Sequence, residues 1–413
     1  MGALNYAMLI HITLLLMSLA ITTTLSQAPR NQTFKFINQG EFGDQIIEYD
    51  ASYRVIRNED HIFLTRPFRL CFYNTTPDAF IFAIRAGLPN EESLMRWVWD
   101  ANRNDPVREN ATLTFGRNGN FVLAEADGRV AWQTNTANKG VTGIKLLPNG
   151  NLVLHDKNGK FIWQSFDHPT DTLLAGKSVK INGRDKLVSR TSDMVGSDGP
   201  YSIHLDHKGF TMYSGETVPT SPGNRRLLQV RPIGNGQQIN QNRLNYNATY
   251  SFLRLGSDGN LKAYTYYDQV SYLKWEESFA FFSSYFIREC ALPSKCCTYG
   301  LCDKGMCVAY PSPNGLLGWS QSCTLPRPPP CGKISAGKVD YYKIVGVEHF
   351  LNPYMDDSEK PMKVGECRDK CNKDCKCLGF IYKEDTSKCL LAPLLGTLIK
   401  DVNTSVGYIK YAR

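Results

Sequence analysis

The chain has 413 residues, 42% of them hydrophobic and 21% charged, with a formal net charge of +8. That length exceeds what one hydrophobic core serves and implies roughly two to four domains. The positive excess is modest and spread without a Lys/Arg block. It excludes a nucleic-acid stripe; solubility alone explains it, and weak attraction to an acidic polymer fits as well.

Residues 1–26 contain no Asp, Glu, Lys or Arg and end in small and hydroxylated side chains. They read as a secretory signal peptide cut near Ser26 and Gln27. The run barely reaches the ~20 apolar residues of a membrane helix, and no later run is long enough, so no membrane span is expected. Five N-x-S/T triplets, at Asn31, Asn74, Asn110, Asn247 and Asn403, are candidate glycan acceptors in a secreted chain.

The central feature is a repeat. A shift of 31 residues carries Asn118-Gly119-Asn120 onto Asn149-Gly150-Asn151, Val122-Leu123 onto Val153-Leu154, Asp127-Gly128 onto Asn158-Gly159, and Trp132-Gln133 onto Trp163-Gln164. Trp99 and Asn102 begin a partial earlier copy. Each unit pairs N-G or D-G turns with short apolar runs, so each predicts a meander of short strands whose type I′ turns place both central residues at positive φ. Such meanders bury too little alone. Three of them stacked about a pseudo-threefold axis would share one core, with Trp99, Trp132 and Trp163 as its fillers.

WVWDANRNDPV at 97–107, the paired NGN-V units and WQSFDHPTDTLL at 163–174 resemble the bulb-type, or monocot mannose-binding, lectin domain of plant S-locus glycoproteins and S-domain receptor kinases. That resemblance implies a β-prism over 27–175. YSIHLDHKGFTMY at 201–213 and YSFLRLGSDGNLKAYTYY at 250–267 resemble the S-locus glycoprotein region, which implies a second prism-like domain over 176–286. The whole resembles most the kinase-less, epidermis-specific secreted glycoproteins of plants.

In that lectin family each mannose site reads Q-x-D-x-N-x-V-x-Y along one strand, because alternate residues share a face and can converge on vicinal hydroxyls. Here the first copy offers Gly116, Asn118, Asn120, Val122 and Ala124, and the second Leu147, Asn149, Asn151, Val153 and His155. Only the central Asn and the Val survive. Each lost polar partner costs on the order of 1–3 kcal/mol. Asn118 and Asn149 have a sufficient job in their turns. Asn118, Asn120, Asn149, Asn151 and His155 are thus the carbohydrate-binding candidates, in a phrase that leans toward fold.

Thirteen cysteines cluster late: Cys71 alone, seven from Cys290 to Cys331 and five from Cys367 to Cys389. Without accompanying histidines, and behind a leader, they read as disulfides rather than zinc ligands. Residues 287–330 resemble the plant EGF-like module, which implies Cys290–Cys302 and Cys296–Cys307. Tyr310 stands where that pattern has a cysteine and Cys297 is extra, so a Cys297–Cys323 bond would restore an even count. No acidic leader suits calcium. Residues 324–331, TLPRPPPC, form an extended proline linker.

Residues 331–413 resemble a PAN or apple α+β module, which implies Cys367–Cys389 and Cys371–Cys377 tying a helix to a sheet. Cys375 then reaches Cys331, and Cys71 remains a buried free thiol. PAN modules bind proteins or carbohydrates, with self-association as one mode.

No catalytic motif appears. His204 and His207, three apart on a strand, point to opposite faces. Glu91-Glu92 and Asp356-Asp357 sit in polar, turn-like contexts with no cleft between carboxylates. The fold class expected is all-β with small disulfide-rich modules. No cofactor, metal or enzyme activity is expected. The reading is a secreted wall or apoplast glycoprotein that binds a cell-surface or wall glycan or a receptor ectodomain. A true mannose lectin and, more remotely, a wall hydrolase are the alternatives.

Overall fold

The computed structural model describes residues 27–40, 53–56, 64–65, 67–87, 96–175, 186–192, 195–206, 209–214, 226–228, 250–267, 275–283, 289–296, 299–312, 315–317, 339–350, 360–393, 395–400 and 404–412. Outside them lie the leader, Asn247, Asn403, His207, both acidic pairs, Cys297, Cys323, Cys331 and the proline linker. The described residues are nearly all β, with one α-helix. They belong to two compact units, one running through residue 178 with 194–197, the other comprising 179–193 and 198 onward.

The first unit holds β1 (Phe34–Ile37), β2 (Tyr53–Val55), β3 (Leu64–Thr65), β4 (Phe68–Thr76), β5 (Ala79–Ala86), β6 (Arg96–Asp100), β7 (Thr112–Phe115), β8 (Phe121–Ala124), β9 (Val130–Gln133), β10 (Gly143–Leu146), β11 (Leu152–His155), β12 (Phe161–Gln164) and β13 (Thr172–Leu174). Three antiparallel sheets result: β2-β4-β5-β6 with β3 beside β4, β1-β7-β8-β9, and β10-β11-β12.

Each sheet sends one tryptophan inward. Trp99, Trp132 and Trp163 meet edge to face, with centroids 5.9, 6.0 and 5.8 Å apart. That geometry sets each ring's positive edge against a neighbour's negative face. Phe82 and Phe121 pack on the same cluster, and the Trp99 indole donates to the His168 carbonyl at 2.8 Å. Cys71 is a buried thiol in β4, outside the disulfides.

The turns correct one expectation. Only the glycines take positive φ, +77° at Gly119 and +83° at Gly150; the preceding asparagines do not. The Gly119 N–H donates to the Gly116 carbonyl and the Gly116 N–H to the Asn120 carbonyl, and Gly150 and Leu147 repeat this with Asn151. This is a type I turn closed by a glycine bulge, the longer hairpin loop, rather than the two-residue type I′. The extra residue frees the Asn side chain to act on the backbone two residues on. At Gly150 a Cβ would also lie 2.7 Å from Leu174 and 2.8 Å from Phe68.

In the second unit β14 (Lys186–Arg190), β15 (Asp198–Asp206), β16 (Gly209–Ser214) and β17 (Arg226–Leu228) form one sheet, and β18 (Tyr250–Leu255), β19 (Leu261–Tyr266) and β20 (Trp275–Ala280) form a meander. Trp275 centres the latter, 4.9 Å from Tyr266 and 5.3 Å from Phe252. Asp258-Gly259-Asn260 repeats the turn of the first unit, with Gly259 at φ +83°.

The cysteine-rich segment supplies β21 (Tyr299–Asp303), β22 (Met306–Val308), β23 (Tyr310–Ser312) and β24 (Gly315–Leu317). After it come β25 (Val339–Val345), β26 (Val347–His349), α1 (Val364–Lys373), β27 (Gly379–Lys383), β28 (Lys388–Ala392), β29 (Gly396–Lys400) and β30 (Ser405–Ala412). One sheet runs β25-β30-β27-β28; another runs β22-β21-β29-β26, joining strands from either side of residue 330. Its β21 and β29 are parallel. The Thr397 hydroxyl accepts from the Cys296 N–H and donates to the Pro293 carbonyl, both at 3.0 Å.

Disulfides link Cys290–Cys302, Cys296–Cys307, Cys367–Cys389 and Cys371–Cys377. Cys367 and Cys371, one turn apart, are fully buried where α1 meets its sheet. Cys375 is also disulfide-bonded. The Lys410 ammonium donates to the Cys371 carbonyl at 3.3 Å, placing a cation at the C-terminal end of α1.

Candidate functional site

Each surviving asparagine of the repeat is buried and spends its amide on the strand that follows. Asn120 is 7% exposed and Asn151 3%. The Asn120 amide donates to Gln133 Oε1 at 2.8 Å, while its oxygen accepts from the Thr134 hydroxyl at 3.1 Å and the Thr136 N–H at 3.0 Å. The Asn151 amide donates to Gln164 Oε1 at 2.8 Å, and its oxygen accepts from the Ser165 hydroxyl and the Phe166 N–H, both at 3.2 Å. Asn118 and Asn149 accept from the N–H of Asn120 and Asn151. Asn260 does likewise in the second unit, with its amide on the Phe282 carbonyl and its oxygen on the Phe282 N–H.

These amides latch the turn to the strand after it. A sugar hydroxyl would have to replace bonds already made, at the cost of a buried unsatisfied partner. Gln133 and Gln164, the other half of each latch, are residues that reasoning on the mannose pattern passed over. The signal was present, since Trp-Gln recurs in register with Asn-Gly-Asn.

The outward faces differ more than the inward ones. In all three sheets a bulge follows the residue opposite the tryptophan, bringing an equivalent pair to the outer face: Arg85 with Trp97, Ala124 with Val130, His155 with Phe161. Arg85 is 1% exposed, its guanidinium 3.8 Å from the Tyr53 ring centre and 5.5 Å from that of Trp97. Val130 and Phe161 are 47% and 45% exposed.

The imidazole of His155 lies across Gly143, where a Cβ would fall 2.6 Å from Nε2. That nitrogen is buried and makes no hydrogen bond, while Nδ1 is 2.9 Å from the Asp156 carbonyl. His155 therefore packs on the sheet instead of standing in solvent.

Asn31 and Asn110 are exposed, and Asn74 is half-buried in β4. The His204 ring packs on Tyr213. No group of His, Cys, Asp and Glu among the described residues could hold a metal ion.

Residues 96–193 match the D-mannose binding lectin family. The chain is 58% identical to EP1-like glycoprotein 2 of Arabidopsis thaliana, over 97% of this chain and 99% of that one. The chain belongs to the EP1-like glycoproteins. Another relative of this EP1-like chain, the epidermis-specific secreted glycoprotein EP1 of Daucus carota, is 45% identical over 74% of this chain and 90% of its own length. More distantly, the G-type lectin S-receptor-like serine/threonine-protein kinase SD2-5 of Arabidopsis thaliana is 24% identical over 86% of this chain, which spans 45% of that protein. The EP1-like chain is thus a lectin-domain glycoprotein. No helix among its described residues is long and apolar enough to cross a membrane.

Proposed function

We propose that this EP1-like glycoprotein is a secreted, non-enzymatic protein of the plant cell wall or apoplast that recognises a glycan at the cell surface through the outer faces of its lectin-like unit. The observation supporting this reading is the placement of the lectin match on a three-sheeted unit whose repeated asparagines are consumed internally. Recognition is left to the side chains around them. The leader, the sequons and the disulfide-rich C-terminal half agree with secretion. A receptor ectodomain as ligand, and self-association through the PAN-like residues 331–413, are secondary partners under the same reading.

The experiment is an array of plant-wall and high-mannose glycans probed with the full glycosylated chain. Saturable binding to wall glycans supports the proposal. Mannose-inhibited binding that disappears in the Asn120→Ala/Asn151→Ala variant with its fold intact would favour a mannose lectin, a reading disfavoured by the filled hydrogen bonds of both amides. Turnover of a wall oligosaccharide would replace recognition with hydrolysis.

A further inference from the structure

The two repeat copies share an inner face and have diverged outside. The turn between β8 and β9 reads Glu125-Ala126-Asp127-Gly128-Arg129, two acids and one base. Arg129 is tied to Asp105 at 2.6 Å and Glu125 at 3.3 Å. The equivalent turn between β11 and β12 reads Asp156-Lys157-Asn158-Gly159-Lys160, one acid and two bases. Asp156 is occupied there, its Oδ1 accepting the N–H groups of Asn158 and Lys160.

On the first strand of each copy, β7 and β10, Thr114 of the first becomes Lys145 of the second. Lys145 faces outward beside Val153 and Gln164. Lys145, Lys157 and Lys160 are all exposed, and none has an ion pair among the described residues. The other acid near this face, Asp167, accepts from the Gln164 amide at 3.1 Å.

Between Lys145 and the basic turn lies Phe161, replacing Val130 of the first copy and 45% exposed. The imidazole of His155 fills the hollow over Gly143 next to it. Two strand spacings and one residue pair separate Lys145 from Phe161, roughly 12 Å. Such a surface offers a flat aromatic platform between separated cations. A neutral sugar has no use for the cations, and a bare phosphate or sulfate has none for the ring. A chain of pyranoses bearing carboxylates uses both, presenting C–H faces to the ring and charges at intervals to the lysines.

We infer that the outer face of β10-β11-β12 binds a uronate-bearing polysaccharide, with Lys145, Lys157 and Lys160 on its carboxylates and Phe161 under a sugar ring. This rests on the glycan-recognition reading above and adds the chemical class of the ligand. The sheet carrying Val130 and the paired Arg129 is the internal control.

The test uses the full glycosylated chain and an α-1,4-linked oligogalacturonate, with its methyl ester as the neutral counterpart, followed by titration calorimetry across a salt series. Binding of the free acid that weakens as salt rises, and loss of affinity for the ester, are expected. The Lys145→Gln/Lys157→Gln/Lys160→Gln variant should lose at least about tenfold in affinity, and Phe161→Ser a smaller factor, with unchanged melting because none of the four supports the core. Arg129→Gln should bind as the parent does.

Equal affinity for acid and ester, or a triple-lysine variant that binds undiminished, overturns the inference. If the array shows neutral wall glycans bound while the oligogalacturonate is not, the ligand class is wrong and glycan recognition stands. If no glycan of either kind is bound, both fall.

Discussion

The lectin-like unit and the C-terminal cysteine-rich region solve the same problem by different means. Around the first, three tryptophans and two phenylalanines each centre within 6.0 Å of at least two of the others, and its one cysteine stays a thiol. In the second, the described disulfides span loops of 12, 11, 22 and 6 residues over small clusters of buried side chains. The contrast teaches that where a repeat can stack, apolar burial suffices, and where short segments cannot enclose a core, covalent closure of the unfolded chain takes over.

The contrast breaks first at its aromatic centre. Trp99→Ala removes a ring shared by both other tryptophans and a partly buried hydrogen bond, and should cost about 3–5 kcal/mol. Urea unfolding followed by tryptophan fluorescence reads this out; a loss below 1 kcal/mol would mean the three rings are not a common core. Next, Cys367→Ala/Cys389→Ala should cost the C-terminal region about 2–5 kcal/mol. Hydrogen exchange of β27 and β28 reports it, and mild reductant should leave the transition of the first unit in place.

The latches sharpen the comparison within the lectin-like unit. Asn120→Ala should destabilise by about 1–3 kcal/mol through the stranded Thr134 and Thr136 groups, and a neutral outcome would return Asn120 to the surface as a ligand group. Gly150→Ala and Gly159→Ala share a positive φ, but only Gly150 faces packed side chains. Gly159 should then cost about 1 kcal/mol and Gly150 visibly more; equal losses would count against the packing of Leu174 and Phe68 beneath the turn.

The smallest effect is alkaline. Burial raises the Tyr341 phenol to about 12, above its ordinary value near 10. The unfolded chain therefore ionises first. The stability tied to the neutral phenol is complete below pH 10 and is lost as pH climbs to about 12. Tyr341→Phe should flatten this fall in a pH series of thermal melts, whereas an unchanged slope would assign the fall elsewhere.

The tryptophan centre was readable because spacing and residue type agree: a ring every 31 or so positions on short strands has few places to go but a shared axis. The inner turn partners were harder. Gln133 and Thr136 bond to Asn120 across a hairpin, and a period-two reading of one strand does not pair it with the next. The type I′ expectation failed for a local reason, since Asn-Gly also fits a longer loop in which glycine alone turns left-handed. The parallel match of Tyr299 with Gly396 joins segments nearly a hundred residues apart, and no local pattern encodes such a pairing. The divergence of the two outer faces was in plain letters, but its meaning needed the bulge that brings His155 opposite Phe161.

That parallel pairing governs the order of events at the ribosome. β21 is synthesised almost a hundred residues before β29, so the edge that pairs with it stays bare until residues 396–400 have emerged. Cys302 and Cys307 meanwhile sit on a half-built sheet, with their partners Cys290 and Cys296 in the turns before it. A chain stopped between β21 and β29 would leave that early edge without its cover and prone to pair wrongly.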